Sequence, residues 1–337
     1  MAELEQQNID EEARLGWKAA SELLAPFGTA AANFAEAIRI LVKSFNEGSD
    51  TLLPGGQNHI VRLLKNKTIK ATYYFFTKQF RPEALEGKSY VSEKDLFAIY
   101  SPIEHASILT FCYLFKTLSR KTEREEWEYV QTPLYEALAI GACVGRTIPE
   151  IGLGVGLLSR GLRYLAFAPF LRENRRGFKE YRQHLKSKDI AFDSAFEERT
   201  WQCTSIQISA ILLERMGFPH SMGLQFVAAA ERDTKVKPDE RFGVPCRMAD
   251  YLVDSYMEGH EIPTSMPSWV GRSLDLSAEV RGSLVSSLNQ VLADKNRVEW
   301  LNKGSSSIDP SSAPELYTEA EKLALEQNEP EANPPRP

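Results

Sequence analysis

The chain has 337 residues, 43% of them hydrophobic, which is enough apolar material for one large core or two ordinary ones without a metal or disulfide staple. Its 40 Lys and Arg stand against 46 Asp and Glu, a formal charge of -6, so no global attraction to nucleic acid or anionic lipid is expected and any such contact must come from a local patch. The opening Met1-Ala-Glu-Leu-Glu-Gln-Gln7 lacks the basic and apolar regions of a secretory signal. The longest low-charge run, Thr147 to Ser159, is too short and polar to span a bilayer. Cys112, Cys143, Cys203 and Cys246 are widely separated with no CxxC pair, which argues for buried thiols in a reducing cytoplasm and against a zinc site.

In chain order, Ala31 to Phe45 carries Phe34, Ile38, Ile40, Leu41 and Phe45 at helical spacing. Asn46-Glu-Gly-Ser-Asp50 and Leu53-Pro-Gly-Gly56 read as turns. Helices are expected again at His105 to Leu118, Pro133 to Gly145, Ser205 to Met216 and Pro245 to Met257. Thr264-Ser-Met-Pro-Ser268 closes the helical body, and Leu276 to Trp300 reads as one more helix with Leu284, Leu288, Val291 and Leu292 inward. Strand-like alternation never exceeds about four residues, which falls short of a sheet. The fold class is therefore all-α. From Lys303 onward Ser, Pro, Glu and Asn dominate, a composition that cannot bury enough apolar surface to order itself, apart from a short helix at Ala313 to Leu325.

Four stretches then form an ordered series: Trp127-Glu-Tyr with Pro133-Leu-Tyr-Glu-Ala137, Ile148 to Gly156-Leu-Leu-Ser-Arg160, Glu197 or Glu198 with Ile208 to Pro219, and Cys246-Arg-Met-Ala-Asp250. In order and spacing they resemble the HDOD family, the HD-related output domains of bacterial signalling proteins, within the metal-dependent HD phosphohydrolase superfamily. Leu63 to Thr72 and Pro102 to Ile108 resemble the family's N-terminal helices more loosely. The resemblance implies an HD-like helical bundle over 13–268, with an N-terminal part at 13–120 and the HD-like part at 121–268. A flexible acidic segment at 1–12, a C-terminal helix at 269–302 and a disordered tail at 303–337 complete the division.

The superfamily's chemistry needs imidazoles and carboxylates that converge on a divalent ion and activate its water. Here the first histidine position falls at Thr132 or Pro133, the His-Asp pair is replaced by Ser159-Arg160, the next histidine falls near Ser205 and the following ones near Ala228 and Ala229. Asp250 alone remains where the last aspartate lies. His59, His105, His184, His220 and His260 miss these positions, form no ligand-spaced pair, and read as surface or helix-end imidazoles. No metal and no cofactor are expected.

Other features have bland readings beside sharper ones. Gly152-Leu-Gly-Val-Gly156 has no preceding strand and reads as close helix packing rather than a phosphate loop. Arg172, Arg175, Lys179, Arg182 and Lys186 share one face if helical, with Arg160, Arg163 and Arg176 near in sequence. They form either a solvated face or a surface for a nucleotide, a nucleic acid or an acidic partner. Trp201, Cys203 and Phe226 read as packing. No GxSxG or comparable nucleophile motif occurs. The expectation is a non-enzymatic, cytoplasmic signalling module that binds a protein or small-molecule partner. The alternatives are a phosphohydrolase with rearranged ligands, and binding through the basic stripe.

Overall fold

A computed structural model describes residues 14–231, 236–294, 298–303, 313–319 and 321–322. The expected flexible segment at 1–12, and 304–312 and 323–337 of the expected tail, lie outside them. The first half comprises α1 (14–24), α2 (Ala32–Asn46), α3 (Pro54–Leu64), α4 (Lys67–Phe80), α5 (Glu93–Ala98) and α6 (Pro102–Ser119). The second comprises α7 (Arg124–Thr147), α8 (Leu153–Leu165), α9 (Phe167–Glu173), α10 (Arg175–Lys188), α11 (Ser194–Trp201), α12 (Ser205–Met216), α13 (His220–Ala230) and α14 (Gly243–Met257), followed by α15 (Ala278–Ala293) and α16 (Glu299–Lys303). Among the described residues there is no strand, only one isolated bridge between Ser265 and Asp275. The protein is all-α, and among the described residues no helix is long and apolar enough to cross a membrane.

The termini of the helices follow from local chemistry. Ser101 and Glu104 form a capping box at the start of α6, with Pro102 in the first turn, where its missing N–H costs nothing. Thr204 and Gln207 do the same for α12, which stops at Gly217 with φ of 107°. A Cβ there would stand 2.4 Å from the Ala35 carbonyl oxygen of α2, so glycine both ends α12 and admits its neighbour.

Three expectations need correction. Leu53 to Gly56 is not a turn: Pro54 opens α3, as proline readily does at a first helical position. Pro133 does not begin a helix but lies inside α7. The lost backbone bond is outweighed because Trp127, Val130 and Leu134 continue one buried face across it. Leu276 to Trp300 is not one helix: α15 ends at Ala293 and α16 starts at Glu299, with Leu284 and Leu288 buried and Val291 and Leu292 half-buried. The expected tail is also less uniform than its composition suggests. Ala313 and Leu316 are buried, Tyr74 donates to the Glu315 carboxylate at 2.7 Å, and Val91 N–H donates to the Glu315 carbonyl at 2.8 Å. Two apolar residues and one bonded carboxylate anchor this stretch against α4.

The architecture centres on α8, whose residues are all buried beneath α6, α7, α12 and α14. Glycines permit that crowding, as their spacing predicts. A Cβ on Gly156 would lie 2.2 Å from the Gly141 carbonyl oxygen, one on Gly145 would lie 2.3 Å from that of Gly152, and one on Gly154 would press on α6 at Ile103. One apolar core runs from α1 to Leu316. A smaller one joins the end of α7 to α14, α15 and the 262–276 segment.

Candidate functional site

A helix immersed on every side cannot carry a bare charge, yet α8 carries two. Arg160 is 3% exposed and Arg163 6%, and unpaired burial of either would cost several kcal/mol. Both line a cavity of about 510 Å³ bounded by α8, the Ile190–Phe192 loop, the end of α13, α14 and the 258–269 segment. From α14 come Asp250 and Asp254, one helical turn apart and therefore on one face.

Arg160 is the hub of the cavity. Its Nε lies 3.4 Å from Asp250 Oδ1, and its Nη2 is ion-paired with Asp254 Oδ1. Its guanidinium also lies 4.8 Å from the centre of the Phe192 ring, while that of Arg163 lies 3.8 Å from it. Each contact with the ring face is favourable by about 0.5–2 kcal/mol. Arg163 donates its Nε to Ser205 Oγ at 3.3 Å. Burial, and then the adjacent Arg160 charge, lower its affinity for the proton below the ordinary arginine value. Behind it Glu197 is wholly buried, accepting from the Tyr181 hydroxyl and from Ser205 N–H at 2.6 Å. Burial pushes the Glu197 carboxyl up, and the Arg163 charge and those hydrogen bonds oppose the rise.

Arg247, the third arginine of the cavity, has a structural role. It donates to the carbonyls of Ala228, Ala229 (3.4 Å), Glu231 (3.4 Å) and Trp269 (2.8 Å). Three of these carbonyls close the C-terminus of α13, where a helix leaves acceptors unfilled and a cation is favoured. Cys246 lies beside the cluster, its thiol pushed well above the ordinary value by burial and then by Asp250.

Of the residues singled out in the sequence, Arg160 and Asp250 meet directly, and Ala229 lines the same cavity. Ser205 stands behind it through Arg163. Ser159 does not face it: its hydroxyl bonds the Gly156 carbonyl at 3.0 Å within α8. The basic stripe is a separate feature, and none of its five residues lines the cavity. Arg172 belongs to α9, across the break at Asn174, and lies 5.6 Å from the Phe27 ring centre. Arg175 is paired with Glu123 and, at 3.0 Å, with Glu126, both at the start of α7, and Arg182 lies 4.2 Å from the Tyr129 ring centre. Lys179 and Lys186 are exposed. Two of the five therefore dock α10 on α7, and the face is only partly free.

Among the histidines, His105 departs from the expected surface setting. It is 1% exposed, bonded through Nδ1 to the Tyr73 hydroxyl at 3.0 Å and through Nε2 to the Phe97 carbonyl at 3.0 Å, and burial lowers its pKa to about 4. Both ring nitrogens are committed to the N-terminal core. His59 bonds the Asn33 carbonyl at 3.1 Å, and His260, at the mouth of the cavity, pairs with Glu258 at 3.6 Å. Among the described residues no three His, Cys, Asp or Glu side chains stand together as a metal requires. Asp250 and Asp254 are already engaged by Arg160, so the residues present do not fit the metal that an HD-type site would hold.

Sequence reasoning missed Asp254 and Phe192 as parts of the site and took Arg163 only as a neighbour of the stripe. A signal was present: Arg160-x-x-Arg163 and Asp250-x-x-x-Asp254 each put two like charges about one turn apart on a largely apolar helix. Compared with protein-family models, with curated proteins and with solved structures, the chain finds no match in any of the three.

Proposed function

We propose that this chain is a non-catalytic binding module that holds a protein or small-molecule partner at the arginine-aspartate cavity, in the manner of a bacterial signalling domain of HDOD type. The observation that carries the reading is Arg160 bridging Asp250 and Asp254. A guanidinium there occupies the two carboxylates that would otherwise attract a divalent ion and offsets half of their charge, and it has no exchangeable water to activate. The positions of Arg160, Asp250 and Ala229 around one cavity, with Ser205 behind it on Arg163, support the HD-like resemblance, since that resemblance assigns them to one site. The charges paired at Arg160 argue for recognition rather than bond cleavage, and the buried thiol and carboxyl nearest them are not free. Cys246 is held protonated and Glu197 is spent on hydrogen bonds.

The test is turnover. Purified protein with Mn²⁺ or Mg²⁺ is expected to release no phosphate from nucleotides or cyclic dinucleotides. Metal-dependent release that disappears in Asp250→Asn would overturn the proposal.

A further inference from the structure

Charge in the cavity is layered by depth. The deepest groups are the guanidiniums of Arg160 and Arg163, no more than 6% exposed. Asp254 keeps 30% of its side-chain surface and Glu258, further out, 40%, and Glu261 is exposed beside it. Arg160 has its carboxylates. Arg163 has only one hydrogen bond, from Nε to Ser205, and its two terminal amino groups make none among the described residues although Arg163 lines the cavity. A buried arginine with two unused donors facing an open space is half of a fork for a bound anion.

A plain anion would have to pass Glu261, Asp254 and Glu258, the last beside His260 at 3.6 Å, to reach it. A plain cation drawn to those carboxylates would meet three guanidiniums below, those of Arg160, Arg163 and Arg247. A molecule with a negative group at one end and a positive group at the other satisfies both layers, and opposed layers of this kind discriminate against single charges. The volume of about 510 Å³ lies within the usual range for small-molecule pockets. Trp269 and Tyr251, packed edge to face with ring centres 5.5 Å apart, supply apolar wall between the layers.

We infer that the cavity binds a small zwitterion, an amino acid whose carboxylate pairs with Arg163 at the floor and whose terminal ammonium meets Glu258 and Glu261 at the mouth. This rests on the binding reading above and names its ligand class. The carboxylate takes the two free donors of Arg163 side by side, and the chain between the charges lies along Trp269.

Calorimetric titration of the full chain with 6-aminohexanoate, L-lysine, hexanoate, hexylammonium and inorganic phosphate tests the assignment. The two zwitterions are expected to bind at least tenfold more tightly than hexanoate, hexylammonium or phosphate. Arg163→Gln is expected to abolish binding. The exposed pair Glu258→Gln and Glu261→Gln, which leaves the buried cluster intact, is expected to weaken it about tenfold and so decides the matter if Arg163→Gln folds poorly. Equal binding of hexanoate or phosphate, unchanged binding by the rim variant, or no binding of either zwitterion overturns the inference. Failure of the underlying reading is distinguishable, because it would show as metal-dependent phosphate release, whereas a chain that neither turns over nor binds zwitterions overturns this assignment alone.

Discussion

Helices α8 and α10 both carry arginines, and the difference between them teaches more than their number. α10 carries four of the five stripe cations, all exposed even where they dock on α7, and at such positions an ion pair is worth at most about 1 kcal/mol; Arg175, paired with two glutamates, is an example. On α8 the same residue type is surrounded by protein, so each guanidinium must be matched by a specific partner. The stripe stood out in the sequence by repetition, yet the isolated Arg160 and Arg163 organise a cavity in which buried guanidiniums meet half-buried carboxylates. Depth, rather than number, marks where charge has a defined task.

The comparison breaks most sharply at its buried end. Arg160→Met should destabilise the protein by about 4 kcal/mol, because removing one member leaves Asp250 and Asp254 without their ion-pair partner. Urea unfolding at pH 7 measures it. The triple change Arg160→Met, Asp250→Asn, Asp254→Asn should recover most of the loss. If Arg160→Met alone were as stable as the parent, the cluster would not be a matched set.

A test of why α8 is so deep comes next. Gly156→Ala should cost about 3 kcal/mol, the upper end of ordinary overpacking, since the new methyl would meet the Gly141 backbone rather than a movable side chain. Gly282→Ala, on α15 with open space at its Cβ, should be neutral or slightly stabilising. Parallel thermal unfolding of the two separates glycine needed for close approach from glycine merely present in a helix.

Between the extremes lies Asp193, where α10 meets α11. It caps α11 by accepting from Phe196 N–H at 2.9 Å and accepts from His184 Nε2 at 2.7 Å. The His184 hydrogen bond first, and then the Phe196 one, hold its carboxyl below the ordinary aspartate value. A lowered folded pKa means that its stabilisation is fully present above the unfolded value near 4 and is lost as pH falls through the folded value. Asp193→Ala should therefore cost about 1 kcal/mol at pH 7, with the deficit shrinking as pH falls below the unfolded value near 4. A deficit that did not change with pH would remove the charge from the account.

Much of this was legible in the sequence. Helical periodicity placed α2, α6, α12 and α14 within a few residues, because each has one continuous apolar face and a recognisable stop. The glycines of 152–156 were read as close packing, and the Cβ positions at Gly154 and Gly156 bear that out, whereas Gly152 has open space and instead adopts a φ of 75° before α8. The illegible parts share a cause: they depend on what lies opposite in space. Pro133 inside α7 is tolerated because Trp127, Val130 and Leu134 share a buried face, and anchoring of Leu316 depends on a groove made by α4. Asp254 and Phe192 joined the site only when α14 and the loop after α10 closed over α8. Composition shows that a charge is present, but only packing shows what it faces.

The smallest expected effect tests the exposed end of the comparison. Lys179 and Lys186 lie on the solvent face of α10, so replacing both with alanine should change stability by less than about 0.5 kcal/mol each. That result would fit a solvated face and equally a binding surface, so stability alone cannot separate them; salt dependence can. A face that binds nucleic acid releases counterions, and its affinity falls steeply as salt rises. Arg175 and Arg182 would have to leave Glu123, Glu126 and Tyr129 to take part, so the free charge on the stripe is smaller than its five residues suggest. RNA or DNA titrated at 50 and 200 mM salt should show no specific binding, and the pair Arg175→Glu and Arg182→Glu should change nothing but the docking of α10 on α7. Binding that collapses with salt and with that double reversal would make α10 the working surface and reduce the α8 cluster to a structural device.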